Sequence, residues 1–191
     1  MKLSTFLFIF LLSISLYSHP HMFITSESSI VFNSEKLEGI FVEWTFDEMF
    51  SETIISEYDK DKSRSFSVKE TATIKKNAFD YVAESKYFID LKINGKVKTV
   101  TKVENFIAKI KKNKLVYRFY VPLNVKASKK ETVVNFSVFD ETFYIAFDLK
   151  KPKVETNVAV SQSVIVKDYG KATDYYGQRP SKDIVIKFKK K

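Results

Sequence analysis

The sequence predicts an α+β protein, mainly antiparallel β, built as a sandwich or a single curled sheet with an EF-hand-like helical hairpin inserted near its start. Three observations predict it. Apolar and polar residues alternate through most of the chain after Met22, the period of a half-buried strand. One interval, 46–86, switches to helical spacing. A chain of 191 residues with 45% hydrophobic and 29% charged side chains has the length and composition of one ordinary domain.

The elements follow in order. Residues 1–18 read as a secretory signal: Met1-Lys2 is a short positive start, Leu3 to Leu16 an apolar run too short for a comfortable membrane span, and Ser18 a small residue at the cut. Residues 19–191 then form a single α+β domain. Met22–Phe32 and Leu37–Phe46 make a hairpin across the turn-like stretch Asn33 to Lys36. Met49, Phe50, Ile54, Ile55 and Tyr58 fall at helical spacings, as do Val68, Ala72, Ile74, Phe79 and Val82, so 46–86 is read as a helical hairpin. Strands resume at Tyr87–Ile93, Val97–Val103, Asn105–Ile110, Leu115–Val121, Thr132–Phe139, Thr142–Leu149, Val158–Lys167 and Ile184–Phe188. Asn94-Gly95 and Lys112-Asn113 mark tight turns. No repeat, long linker or second long apolar run appears, so the exported chain is expected to have no transmembrane segment and to be periplasmic.

Composition narrows the chemistry. Cysteine is absent, which removes disulfides, thiolate metal sites and a cysteine nucleophile. The formal charge is +9, but only Arg64, Arg118 and Arg179 of the 32 basic residues are arginine. Lysines spread along the whole chain lack the bidentate fork that reads bases and phosphates, so nucleic acid is not the expected partner. The two histidines flank one proline, in His19-Pro20-His21.

Cleavage after Ser18 would put the His19 α-amine beside the His19 and His21 imidazoles. Pro20 has no N–H to deprotonate, which blocks the square-planar N-terminal copper/nickel peptide motif. An amine-plus-imidazole clamp remains, suited to Cu(II), Ni(II), Zn(II) or Co(II). Cleavage after Ser15 would leave three residues ahead of His19. Asp47, in Trp44-Thr-Phe-Asp-Glu-Met-Phe50, and Asp140, in Val138-Phe-Asp-Glu-Thr-Phe-Tyr144, lie at strand ends among aromatics, a costly setting for an unpaired charge. They are the expected completing metal ligands; Asp47 is equally a helix N-cap and Asp140 a turn residue.

Between the two helices, Asp59, Asp61, Ser63, Ser65 and Glu70 stand at the first, third, fifth, seventh and twelfth positions of a calcium-like loop, with Ser67 at the ninth. Arg64 occupies the sixth position, usually glycine, where a left-handed side chain costs roughly 1 kcal/mol. The alternative is a capping loop with Ser67 and Glu70 as a capping box.

The His19-Pro20-His21 start, the Trp44–Met49 stretch, the acidic loop and Asp140-Glu-Thr-Phe-Tyr-Ile145 together resemble a family of exported bacterial proteins of unknown function. Its members are described as the periplasmic component of an uncharacterised ABC-type transport system and tend to accompany nickel/cobalt-type permeases. The resemblance covers residues 19–150 and weakly the Tyr175-Tyr176-Gly177 region; relatives usually keep the loop glycine that Arg64 replaces. It implies metal handling with an inner-membrane metal permease or ABC transporter, and no reaction. The expected function is thus a non-enzymatic, periplasmic transition-metal-binding accessory protein; the alternative is an envelope binding or assembly module without metal.

Overall fold

The computed structural model describes residues 21–158, 160–169 and 182–191. The expected signal and cleavage region, His19 and the Tyr175-Tyr176-Gly177 segment lie outside the described residues. The fold is α+β, with mostly antiparallel strands in two open sheets and a helical hairpin.

Strands β1 (Met22–Ser34) and β2 (Lys36–Phe46) form the expected hairpin, paired from Ile24↔Phe46 to Asn33↔Lys36. Period-two alternation sends Ile24, Ile30, Val42, Trp44 and Phe46 into the interior. Two further segments complete this side of the sheet, β5 (Glu104–Lys111) and β6 (Lys114–Lys126), in the order β5-β6-β2-β1. On the other side of β1, β8 (Ile145–Leu149) lies along Met22–Ser26 and β9 (Lys153–Val158) along Ser29–Ser34, both parallel to it. The second sheet runs β10 (Val160–Asp168), β11 (Lys182–Lys190), β7 (Thr132–Val138), β3 (Ile89–Ile93), β4 (Lys96–Val97). One hydrophobic core joins them, and Phe32 of the first sheet meets Phe188 of the second edge-to-face, with centroids 5.3 Å apart.

The hairpin is α1 (Glu48–Tyr58) followed by α2 (Val68–Ile74), which continues through a π turn, Lys75–Phe79, and a 3-10 turn, Asp80–Ala83. Buried Ser51 ties α1 to β6: its hydroxyl accepts the Leu115 N–H at 2.9 Å. Phe79 stacks on Phe106 at 4.2 Å and also meets Tyr117 and Phe119, so the second helix packs onto the first sheet. The chain enters the second sheet through Lys86, Tyr87 and Phe88, all left-handed at φ 52°, 56° and 51°. Such residues cost about 1–2 kcal/mol each. Burial of Tyr87 and the contacts of Phe88 with Trp44 and Phe147 offset that strain.

Three expectations need correction. Val97–Val103 is not a strand beyond Val97: Val97 is exposed, and the next apolar residues turned inward are Val100 and Val103. A spacing of three cannot keep apolar residues on one face of a strand. The run expected from Thr142 begins only at Ile145, because 140–144 folds into a loop around Asp140. Finally, β9 was absent from the expected elements, its Lys153 and Glu155 masking a parallel partner of β1.

Candidate functional site

The start of β1 is held between two loops almost a hundred residues apart in sequence. On one side, His21 and Met22 donate backbone N–H groups to the Tyr144 carbonyl at 2.9 and 3.2 Å. On the other, Phe23 donates its N–H to Asp47 Oδ2 at 2.8 Å and accepts the Asp47 N–H at 3.0 Å.

Asp47 serves two elements at once. Its other oxygen, Oδ1, accepts the Phe50 N–H at 2.9 Å, the N-cap bond that satisfies an orphan donor of α1. The expected capping role is therefore present, and the same carboxylate fixes β1.

Asp140 is buried and spends its charge on its own loop. Oδ1 accepts the Thr142 N–H at 2.9 Å and the Thr142 hydroxyl at 2.7 Å, and Oδ2 accepts the Ile145 N–H at 2.9 Å. These bonds bend 140–145 so that Phe143 is left-handed at φ 58° and Ile145 pairs with Met22. Hydrogen bonds donated to the charged acceptor compensate the burial of the carboxylate.

The Trp44–Phe50 and Val138–Tyr144 motifs thus converge on His21-Met22-Phe23. The His21 ring lies against the Tyr144 ring, with centroids 5.1 Å apart. Phe23, Met49, Phe143 and Tyr144 around this junction are exposed. What does not converge is the expected ligand set: among the described residues, His21, Asp47 and Asp140 do not bring their ligand atoms into one group of three. Both aspartates act on backbone amides. Tyr144 and Thr142, which position the junction, carried no sequence signal beyond membership of their motif.

The group of three that does form is Asp59, Asp61 and Glu70, whose ligand atoms lie within 4.8 Å of one another. Asp59 caps the turn, accepting the Ser63 N–H through Oδ1 and the Arg64 N–H through Oδ2, each at 3.0 Å. Arg64 is left-handed at φ 62°, the conformation expected of the glycine position. The Ser63 hydroxyl shares its contacts with Asp59 and Ser65. Glu70 accepts the Ser67 N–H and hydroxyl and the Lys60 N–H, each at 2.8 Å, so the capping box is present. The Ser63 hydroxyl and N–H hold the Asp61 carboxyl below its usual range, and the Ser67 and Lys60 donors do the same for Glu70. Glu70 thus accepts three local donors, whereas Asp61 accepts the Ser63 N–H through Oδ1.

No described helix is long and apolar enough to cross a membrane. A relative from Haemophilus influenzae, an uncharacterised protein, is 24% identical over 153 residues, 76% of this chain and 70% of that one. Another, an uncharacterised 15.5 kDa protein in the trpE 3′ region of Spirochaeta aurantia, is 29% identical over 91 residues, 48% of this chain and 64% of that one. The model of a family described as proteins of unknown function, DUF1007, matches residues 4–183 and so spans both motif loops, the strand between them and the helical hairpin. The chain belongs to that DUF1007 family.

Proposed function

We propose that the protein is a periplasmic transition-metal-binding accessory component of a metal transport system, working with an inner-membrane permease or ABC transporter and catalysing no reaction itself. The observation that supports it is the double anchoring of His21-Met22-Phe23 by the Tyr144 carbonyl and the Asp47 carboxylate. Two anchors fix the position of His21 at the start of β1. The His19 amine and imidazole and the His21 imidazole then supply nitrogen donors suited to Ni, Co, Zn or Cu. In this reading Asp47 and Asp140 position the donors, and any ligation would use their remaining lone pairs.

Titrating Ni(II), Zn(II) and Cu(II) into the chain that begins at His19, and into its His19→Ala/His21→Ala variant, tests the reading. The affinity is expected to fall at least about tenfold in the variant, a loss of 1.4 kcal/mol. Equal affinity overturns it.

A second reading, an envelope binding or assembly module without metal, is favoured by one feature. Every oxygen of Asp47 and Asp140 already accepts a hydrogen bond, while Phe23, Phe143 and Tyr144 are exposed beside them. That reading expects no metal uptake at the histidine pair.

A further inference from the structure

Lysines are spread along the sequence, but the fold collects a group of them. The β1–β2 turn, the 126–131 stretch after β6 and the end of β11 meet at one end of the two sheets, where Phe32 packs on Phe188. Lys36 lies opposite Lys126 across β2 and β6. Ala127 donates its N–H to the Glu35 carbonyl at 2.7 Å, and Lys190 donates its N–H to the Ser128 carbonyl at 2.9 Å. The Ser128 hydroxyl, donating to the Lys130 carbonyl at 2.7 Å, shapes the loop.

Charge at this end is one-sided. Lys190 pairs with Glu35 at 2.6 Å and Lys36 with Glu38 at 3.2 Å. Lys126, Lys129, Lys130, Lys189 and Lys191 are exposed and make no ion pair among the described residues. Glu131 is the one side-chain carboxylate of the three segments left unpaired, and on neighbouring β9 the exposed Lys153 and Glu155 offset each other. In the helical hairpin, by contrast, Lys60 and Lys62 alternate with Asp59 and Asp61. The three segments also hold no arginine and no exposed large apolar or aromatic side chain.

We propose that this lysine-rich end docks electrostatically on the surface of an anionic phospholipid bilayer. Stacking on nucleic-acid bases needs exposed aromatic rings, and bidentate reading of bases or phosphates needs arginine; both are missing here. Unpaired ammonium groups on flexible stems are compact point charges, which suit a diffuse negative surface rather than one shaped ligand. The choice of a membrane among polyanions rests on the reading that the chain is exported, into a compartment that a membrane bounds. Without an apolar anchor the contact lies on the headgroups and is screened by salt. β1 runs 13 residues from Met22 to Ser34, about 40 Å at about 3.3 Å per residue, so docking at this end leaves the His21 junction at the other uncovered.

Sedimentation with vesicles tests it, using the chain from His19 onward. Vesicles of phosphatidylglycerol and phosphatidylcholine in equal parts are expected to carry the protein down at low salt, and phosphatidylcholine alone is not. Salt at about 1 M, where the Debye length is about 3 Å, should release it. Each lysine beside an anionic surface contributes about fivefold to binding, so Lys129→Gln/Lys130→Gln should lose about twentyfold, and Lys126→Gln/Lys189→Gln about as much. Lys69→Gln/Lys76→Gln removes the same charge from exposed positions of the helical hairpin and should change binding by less than about twofold. Variants are compared at equal circular dichroism. No binding to the phosphatidylglycerol vesicles overturns the proposal, as does equal binding to phosphatidylcholine alone. Equal losses in the hairpin and lysine-end variants would assign the effect to net charge and overturn it. Tighter binding to duplex DNA at the same phosphate concentration would assign this end to nucleic acid and overturn it too. None of these outcomes depends on the histidine pair, so they are separate from the metal titration.

Discussion

The carboxylate of Asp47 reaches back 24 residues to the backbone N–H of Phe23, at 2.8 Å, while its second oxygen caps α1 at Phe50. One side chain thereby couples the first strand of the fold to the first helix.

Removing it should be felt twice. Asp47→Ala loses an N-cap, about 1 kcal/mol, and a charged acceptor for Phe23, about 1.5–3 kcal/mol. Denaturant unfolding should show a loss of about 2–4 kcal/mol, and Asp47→Asn, which keeps one carbonyl acceptor, a smaller one. An unchanged midpoint for Asp47→Ala would contradict the coupling.

Asp140 is the more buried of the two and should be the less replaceable. Asp140→Ala removes the buried carboxylate that accepts the Thr142 and Ile145 N–H groups and holds the otherwise exposed 141–144 loop. The expected cost is about 2–5 kcal/mol. Hydrogen exchange should also accelerate at His21 and Met22, whose shared acceptor is the Tyr144 carbonyl. Exchange unchanged at both amides would separate the loop from the strand.

Much of this arrangement was legible in the sequence, for reasons tied to particular residues. Alternation through 22–46 and the Asn94-Gly95 turn, left-handed at φ 50° and 78°, identify β1, β2 and the β3–β4 hairpin from local preference alone. The capping roles of Asp47 and of the Ser67–Glu70 pair are equally local. What was not legible is long-range. Nothing in Ile145–Leu149 or Lys153–Val158 says that these strands lie parallel to β1, because parallel pairing is decided by the path of the chain. For the same reason the sequence marked Asp140 as an expensive charge but could not say that its own loop would supply the donors.

Gly39 makes a packing prediction that no periodicity contains. A Cβ there would collide with the Tyr120 hydroxyl and with the Val121 carbonyl oxygen. Gly39→Ala should destabilise by about 1–3 kcal/mol. Tyr120→Phe should restore only part of the loss, since the ring Cζ, which would lie 2.5 Å from the new Cβ, and the Val121 carbonyl both remain. Full rescue in thermal unfolding would show that the hydroxyl alone is responsible.

Arg64 holds a left-handed conformation in the acidic loop. Arg64→Gly removes a penalty of about 1–2 kcal/mol, set against roughly 0.5–1 kcal/mol of added chain entropy. Stability should be unchanged or slightly higher. The variant also removes a positive charge beside Asp59, Asp61 and Glu70, so its calcium affinity, read by calorimetry, should exceed that of the unmodified protein. Equal heats of calcium binding would show that Arg64 does not oppose a cation there.

In the proposed function, export frees the His19 amine for a metal site ahead of a β1 start held by Asp47 and Tyr144. Its most direct test is the Ni(II) affinity of the chain beginning at His19, measured beside the same chain carrying Leu16-Tyr17-Ser18 ahead of it. The account predicts tighter binding, by at least about tenfold, when the His19 amine is free. Equal affinity in the two chains would contradict it.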